Sequence, residues 1–161
     1  MIKKFNLLFL TLFNIGKIKK APGTIASLIA CLSFLALINI FDISVMLFFT
    51  LIVFFYSLIA INNSVGEFNS EDPQEIVIDE FVGQMLPLLS IPIYEILYPL
   101  PIIYYCIPAF LLFRLYDIWK PYPVNYIDEN VKGAIGIMFD DIIAGIYSII
   151  TLIIIFFFLG G

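Results

Sequence analysis

Two pairs of adjacent acids, Asp79-Glu80 and Asp140-Asp141, interrupt long apolar runs of the sequence. A charged side chain at the centre of a membrane helix costs about 2.5–3.5 kcal/mol, so such residues usually serve function or have a paired partner. Two carboxylates about 4 Å apart also repel each other by roughly 4 kcal/mol at an effective dielectric constant of about 20. A bound divalent cation would relieve that repulsion. Both pairs are therefore candidate metal ligands.

A helix-start role is the alternative for both pairs, because acids complement the positive end of a helix dipole. The first pair would begin a third helix, and the second pair would open the last one. Apolar residues flank the first pair on both sides, and one acid would suffice at the last helix, so ligand roles are favoured. Glu80, Gly83 and Gln84 share one helical face, where Gly83 would admit another backbone or a lipid headgroup.

Basic residues accompany the acids in the segment Phe113-Arg-Leu-Tyr-Asp-Ile-Trp-Lys-Pro121. Arg114 and Asp117 are i,i+3 neighbours on a helix, and Lys120 follows on the same side. The alternative is an arginine whose stem lies in lipid while its charged head reaches water, with an aromatic interface anchor beside it. That alternative explains Arg114 well but Asp117 poorly.

Hydroxyl groups stand at the predicted start of another helix, in Pro22-Gly-Thr-Ile-Ala-Ser27. Thr24 is predicted to cap this helix, whose free N–H groups would suit a phosphate. Taken alone, the segment is better explained as an ordinary capped helix start. Because all four motifs fall at one predicted membrane face, together they predict a carboxylate-lined Mg²⁺ site beside Thr24, Ser27, Arg114 and Lys120.

The absence of histidine from the sequence narrows the chemistry. It removes histidine acid–base catalysis, phosphohistidine intermediates and histidine-ligated zinc. Cys31 and Cys106 lie in apolar stretches, and neither begins a Cys-x5-Arg loop, which disfavours a cysteine-dependent phosphatase. Oxygen ligands favour Mg²⁺ or Mn²⁺. Such an ion would offset phosphate charge and activate a water, while Arg and Lys hold phosphate oxygens.

The composition is that of a membrane protein, with 62% hydrophobic and 13% charged residues against about 25% charged in soluble domains. A net charge of −5 argues against nucleic-acid binding. We predict an all-α integral membrane protein, a bundle of about four to five transmembrane or re-entrant helices, with a polar loop at 62–75. The predicted apolar segments are 25–41, 43–61, 76–96, 102–116 and 142–159.

Every Lys and Arg lies in the N-terminal arm or near Asp117 and Asp140, which predicts that this face is cytoplasmic. Residues 1–161 are predicted to form one domain. Within it, 1–20 would be an uncleaved interfacial basic arm, because its apolar run is too short to span and no small-residue cleavage site follows. The alternative is a first span of unusual length. Two aromatic belts are predicted, an outer one of Tyr94, Tyr98, Tyr104 and Tyr105 and an inner one of Tyr116, Trp119, Tyr122 and Tyr126.

Four segments resemble the signature blocks of the phosphatidylglycerophosphatase A family and follow their order: Pro22-Gly-Thr-Ile-Ala-Ser27, Ile78-Asp-Glu-Phe-Val-Gly83, Phe113-Arg-Leu-Tyr-Asp-Ile-Trp-Lys-Pro121 and Gly136-Ile-Met-Phe-Asp-Asp-Ile-Ile-Ala-Gly145. The resemblance implies a multi-pass protein of the bacterial inner membrane with its active site facing the cytoplasm. The implied activity is Mg²⁺-dependent hydrolysis of phosphatidylglycerophosphate to phosphatidylglycerol and phosphate, a step of phospholipid biosynthesis.

The resemblance also implies roles for individual residues. Asp128 falls in a matching stretch but receives no role, and water and carboxylate nucleophiles both stay open. The residues that match the family's acidic positions would hold Mg²⁺: Asp79, Glu80, Asp117, Asp140 and Asp141. All of these except Asp140 would also be catalytic. Residues matching its hydroxyl and basic positions would bind substrate: Thr24, Ser27, Arg114 and Lys120.

A small membrane protein that binds or transports divalent cations is the alternative function, because acids at helix ends also suit ion pathways. A pathway needs polar groups through the middle of the membrane. Segments 25–61 and 142–159 carry almost none, which favours the phosphatase.

Overall fold

The computed structural model describes residues 2–64 and 75–159, which form eight α-helices, one short 3-10 helix and no strand. The predicted all-α class is confirmed, while residues 65–74 of the predicted loop 62–75 lie outside the described ranges. The α-helices are α1 Ile2–Leu10, α2 Pro22–Leu37, α3 Ile43–Ser64, α4 Ile78–Leu89, α5 Ile91–Leu97, α6 Ile103–Trp119, α7 Val124–Asn130 and α8 Gly133–Leu159.

Helices α3 and α8 are long and apolar enough to cross a membrane. Their qualifying stretches are 22 and 26 residues long with mean hydropathies of 2.5 and 2.4, and about 20 residues are needed for a bilayer core. Only 28% and 33% of their most apolar windows are buried. A core helix of a soluble protein would be mostly buried, so these exposed apolar faces suit lipid. α2, with 16 residues, is apolar but shorter.

The predicted third apolar segment, 76–96, is two helices rather than one. Pro92 breaks it, because proline lacks the N–H and its ring clashes with the carbonyl of Leu88 four residues earlier. The Ser90 hydroxyl donates to the Pro87 carbonyl at 2.7 Å and so satisfies one acceptor at the break. α4 therefore has only 12 residues, and its acidic first turn stays close to the neighbouring helices.

The N-terminal arm is joined to the bundle. α1 packs on α3, where the Tyr56 hydroxyl donates to Asn6 Oδ1 at 2.8 Å. The Val77 N–H donates to the Leu10 carbonyl at 3.0 Å. These contacts tie the arm to the segment that enters α4.

The aromatic residues only partly follow the predicted belts. Tyr94 and Tyr105 are 3% and 0% exposed, and both rings pack against Phe156. Their predicted place in an outer belt is therefore wrong, because the gap between α5, α6 and α8 is filled by large rings. Trp119 and Tyr122 are exposed at the end of α6 and just beyond it, as an interface position requires.

Two glycines allow α4 and α8 to approach closely. A Cβ at Gly83 would lie 2.8 Å from the Asp141 carbonyl oxygen, and one at Gly145 would lie 2.7 Å from the Gly83 carbonyl oxygen. Of the two predicted neighbours for Gly83, a backbone and a lipid headgroup, the structure places a backbone there. This contact brings the acids of α4 next to those of α8.

Replacing Gly83 with alanine should lower the free energy of unfolding by about 1–3 kcal/mol, because the added methyl overlaps the α8 backbone and the Phe113 ring. Thermal unfolding in detergent, followed by circular dichroism, measures the change. Ile146→Ala, on the exposed face of α8 beside Gly145, is the matched control and should unfold near the wild-type temperature. Equal melting temperatures for G83A and wild type would contradict the close contact.

Candidate functional site

A cavity of about 530 Å³ lies among the start of α2, the start of α4, the end of α6 and the turn between α7 and α8. Its volume is typical of small-molecule sites, which span roughly 300–1,000 Å³. Its described lining carries three more acids than bases, so the cavity is negative when all groups are ionised. The charged lining residues are Asp79, Glu80, Asp117, Asp128, Asp140 and Asp141 with Arg114, Lys120 and Lys132.

Three of the acids converge on one point and form what we term the acidic triad: Asp79, Glu80 and Asp141. One carboxylate oxygen from each lies within 4.8 Å of the others. Asp141 is 3% exposed, and Glu80 Oε2 is buried without a hydrogen-bond partner among the described residues. Three ionised carboxylates this close repel strongly unless a cation lies between them. Hard oxygen donors with a free lone pair fit Mg²⁺.

The helix-start alternative predicted that the second acidic pair opens the last helix. The structure does not place the pair there. α8 begins at Gly133, so Asp140 and Asp141 lie beyond its first turn, where the helix dipole has little effect. The helix-start explanation therefore fails for this pair. Asp79 and Glu80 do lie in the first turn of α4, but Val77 before them makes no side-chain cap.

Asp140 and Asp141 have different partners, because adjacent helical residues point about 100° apart. Asp141 joins the acidic triad, whereas Asp140 Oδ2 accepts a hydrogen bond from Lys120 Nζ at 2.9 Å. Lys120 Nζ also lies 2.5 Å from Asp128 Oδ1. The lysine thus links the end of α6 to α7 and α8. We call this set the lysine bridge.

Opposing effects act on the pKa of Lys120. Burial lowers the pKa, but the neighbouring carboxylates of Asp128 and Asp140 together raise it by more than burial lowers it, so the net shift is upward. The lysine stays protonated at physiological pH. Its contribution to stability is fully present below the ordinary lysine pKa of 10.5 and is lost only as the pH rises above it. Sequence reasoning left Asp128 without a role, since nothing in its spacing marks it as the partner of Lys120.

Arg114 and Asp117 form the predicted i,i+3 ion pair. Arg114 Nη1 also donates to Ser27 Oγ at 3.4 Å, and Arg114 Nε is buried without a partner in the described ranges. Ser27 is fully buried and its hydroxyl donates to the Gly23 carbonyl at 3.0 Å. The structure therefore places Ser27 beneath the arginine rather than in the cavity lining.

The start of α2 differs from the prediction. The helix begins at Pro22, with Ala21 at the N-cap position in a left-handed conformation and no side-chain cap. The predicted capping role of Thr24 is wrong, because proline favours the first helical position and moves the helix start three residues earlier, from 25 to 22. Thr24 instead lines the cavity. A Cβ at Gly23 would overlap the Glu80 carboxylate, so Gly23 makes room for the triad.

Lys120→Met should lower the free energy of unfolding, because the substitution leaves the carboxylates of Asp128 and Asp140 without their cation. The expected loss lies between the ~1 kcal/mol of an exposed pair and the about 3–5 kcal/mol of a fully buried one. Adding Asp140→Asn should recover part of it. Thermal unfolding in detergent at pH 7 measures the effect.

Lys132→Met is the matched control for that experiment, because Lys132 is exposed and none of the described acids forms an ion pair with it. It should unfold near the wild-type temperature. A loss at position 120 no larger than at 132 would contradict a structural role for the lysine bridge.

The fold and the cavity define a class: an all-helical protein with two helices apolar enough to cross a membrane and an oxygen-lined cavity suited to phosphate chemistry. The sequence model of the family described as Phosphatidylglycerophosphatase A matches residues 8–156. The chain therefore belongs to the phosphatidylglycerophosphatase A family, and it is a phosphatase.

Curated relatives agree with the family. A Haemophilus influenzae protein named phosphatidylglycerophosphatase A is 34% identical over 86% of this chain and 81% of its own length. Its Escherichia coli namesake is 29% identical over 84% and 74%. A Bacteroides thetaiotaomicron protein, provisionally named phosphatidylinositol-3-phosphatase, is 37% identical over 87% and 86%. None of the solved structures compared with the chain matches it.

Proposed function

We propose that this protein hydrolyses phosphatidylglycerophosphate to phosphatidylglycerol and inorganic phosphate, with Mg²⁺, in bacterial phospholipid biosynthesis. The observation that carries the proposal is the acidic triad beside Arg114 in one cavity. The family and two of the relatives are named for this activity. Family membership favours an enzyme over a cation transporter, which was the alternative from sequence.

Charge balance supports a cation in the reaction. A phosphomonoester carries about −1.5 to −2 charges at neutral pH, and the cavity has an excess of acids. Asp79, Glu80 and Asp141 would hold Mg²⁺ through their carboxylate oxygens. When bound there, Mg²⁺ would supply the positive charge that offsets the phosphate and the Lewis acidity that promotes attack on phosphorus.

The chain's own residues would bind and orient the phosphate. Arg114 lines the cavity and would donate from its guanidinium to a non-bridging oxygen, while Asp117 and Ser27 hold the guanidinium in place. Thr24, which also lines the cavity, would offer its hydroxyl. In the overall reaction the oxygen of water bonds to phosphorus, the bond from phosphorus to the glycerol oxygen breaks, and that oxygen takes up a proton.

The bilayer would surround α3 and α8, whose exposed faces are apolar. We place the cavity at the cytoplasmic face of a multi-pass protein, because Arg114, Lys120 and Lys132 line it and basic residues favour that side. α2 begins at the cavity and its 16 residues extend about 24 Å. Asp42, which follows it, would therefore lie at the opposite face.

Neutralising any single member of the acidic triad should greatly reduce turnover. Asp79→Asn, Glu80→Gln and Asp141→Asn should each reduce Mg²⁺-dependent phosphate release from phosphatidylglycerophosphate by on the order of 10²–10³-fold. Mn²⁺ should also bind more weakly to the same variants. Electron paramagnetic resonance measures this binding and gives a readout independent of activity. Glu129→Gln, an exposed acid of α7 outside the cavity lining, is the control. Wild-type turnover in any triad variant would refute the site.

The proposed orientation can be tested with single cysteines in a variant lacking Cys31 and Cys106. A cysteine at position 129 should react with a membrane-impermeant maleimide only in inverted inner-membrane vesicles. One at position 42 should react only in intact spheroplasts. Reaction of both from the same side would overturn the multi-pass arrangement, even if the enzyme is active.

A further inference from the structure

Resting on the proposed function, we infer that Lys132 recognises a second anionic group of the lipid headgroup, the phosphodiester that links it to the diacylglycerol. The protein would thereby select lipids that carry a phosphomonoester on a polyol beyond this phosphodiester. Lys132 would determine specificity, and the acidic triad and Arg114 would handle the phosphomonoester itself.

The three cations that line the cavity differ in what already binds them. Arg114 is held by Asp117 and Ser27, and Lys120 is held by the lysine bridge. Lys132 also lines the cavity, yet among the described residues its side chain has no ion pair or hydrogen bond. Of the three lining cations, Lys132 is thus the one that no described residue engages, and it can pair with a ligand.

The position of Lys132 suits a group at the mouth of the cavity. Asp141 of the triad is buried, whereas Lys132 is exposed. Nothing lies within 4 Å of where a Cβ would stand on Gly133, which follows Lys132, so the chain beside the lysine is open. A phosphomonoester at the triad leaves the rest of the headgroup to extend toward this rim.

The substrates for which the relatives are named share the two groups that this inference assigns to different residues, a phosphomonoester at the acidic triad and a phosphodiester at Lys132. Phosphatidylglycerophosphate and phosphatidylinositol-3-phosphate both carry a phosphomonoester on a polyol that is attached through a phosphodiester. Phosphatidic acid carries a phosphomonoester and no phosphodiester. A cation at the rim that binds the phosphodiester would favour the first two lipids over the third.

The first experiment measures phosphate release by wild type, Lys132→Ala and Lys132→Arg from all three lipids in mixed micelles with Mg²⁺. For K132A, kcat/KM should fall roughly 10- to 100-fold on a lipid with the phosphodiester, mainly through KM, and stay unchanged on phosphatidic acid. K132R should retain most of the activity. Comparing the two phosphodiester lipids tells which polyol the cavity accepts. Lys17→Ala, an exposed lysine outside the cavity lining, is the matched control.

Two outcomes would overturn the inference while leaving the phosphatase intact. An equal loss on phosphatidic acid would mean that Lys132 binds the phosphomonoester. A fall in kcat with unchanged KM would mean that it acts in the chemical step.

Product binding gives a test that does not need turnover. Phosphatidylglycerol keeps the phosphodiester, and its binding can be followed by the fluorescence of Trp119, the only tryptophan in the chain. K132A should bind phosphatidylglycerol roughly 10-fold or more weakly than wild type, and diacylglycerol equally. Equal phosphatidylglycerol affinities would refute the role of Lys132. Absence of phosphate release by wild type from every lipid would instead refute the proposed function.

Discussion

Mutual repulsion among three carboxylates is the constraint on which the site depends. Asp79, Glu80 and Asp141 come within 4.8 Å of one another where Gly83 and Gly145 let α4 and α8 approach closely and Gly23 makes room for Glu80. Like charges at such distances in a partly buried site oppose folding. The tight helix contact therefore holds the acids at distances where ionised carboxylates repel one another, and a bound cation would reduce that repulsion.

Apart from Lys132, the remaining charged residues of the cavity form two paired units around the acidic triad. Asp117 holds Arg114 on α6, and Lys120 bridges Asp128 and Asp140 across α6, α7 and α8. Each unit satisfies charges that would otherwise be buried alone, which is costly in a site of low dielectric constant. Within the described part of the chain, neither unit includes the acidic triad or Lys132, so both remain available to ligands.

Sequence patterns were reliable where the signal was local. Apolar runs located α2, α3 and α6 to within about three or four residues at each end, whereas α8 begins nine residues before the predicted segment 142–159. The i,i+3 spacing of Arg114 and Asp117 correctly predicted their ion pair. Errors arose where a single proline decided at which residue a helix begins or ends. Pro22 moved the start of α2 away from Thr24. Pro92 divided the predicted third segment into two helices.

By itself the sequence determined the helical class and the apolar character of α3 and α8, and it supplied the acids as candidate metal ligands, because these follow from residue type and spacing. Only the tertiary structure separated Asp141, which joins the acidic triad, from Asp140, which joins the lysine bridge. The two residues are identical and adjacent, so no local pattern distinguishes them. What differs is the partner that each meets when α4, α6 and α7 pack against α8, and this depends on contacts between residues far apart in the chain.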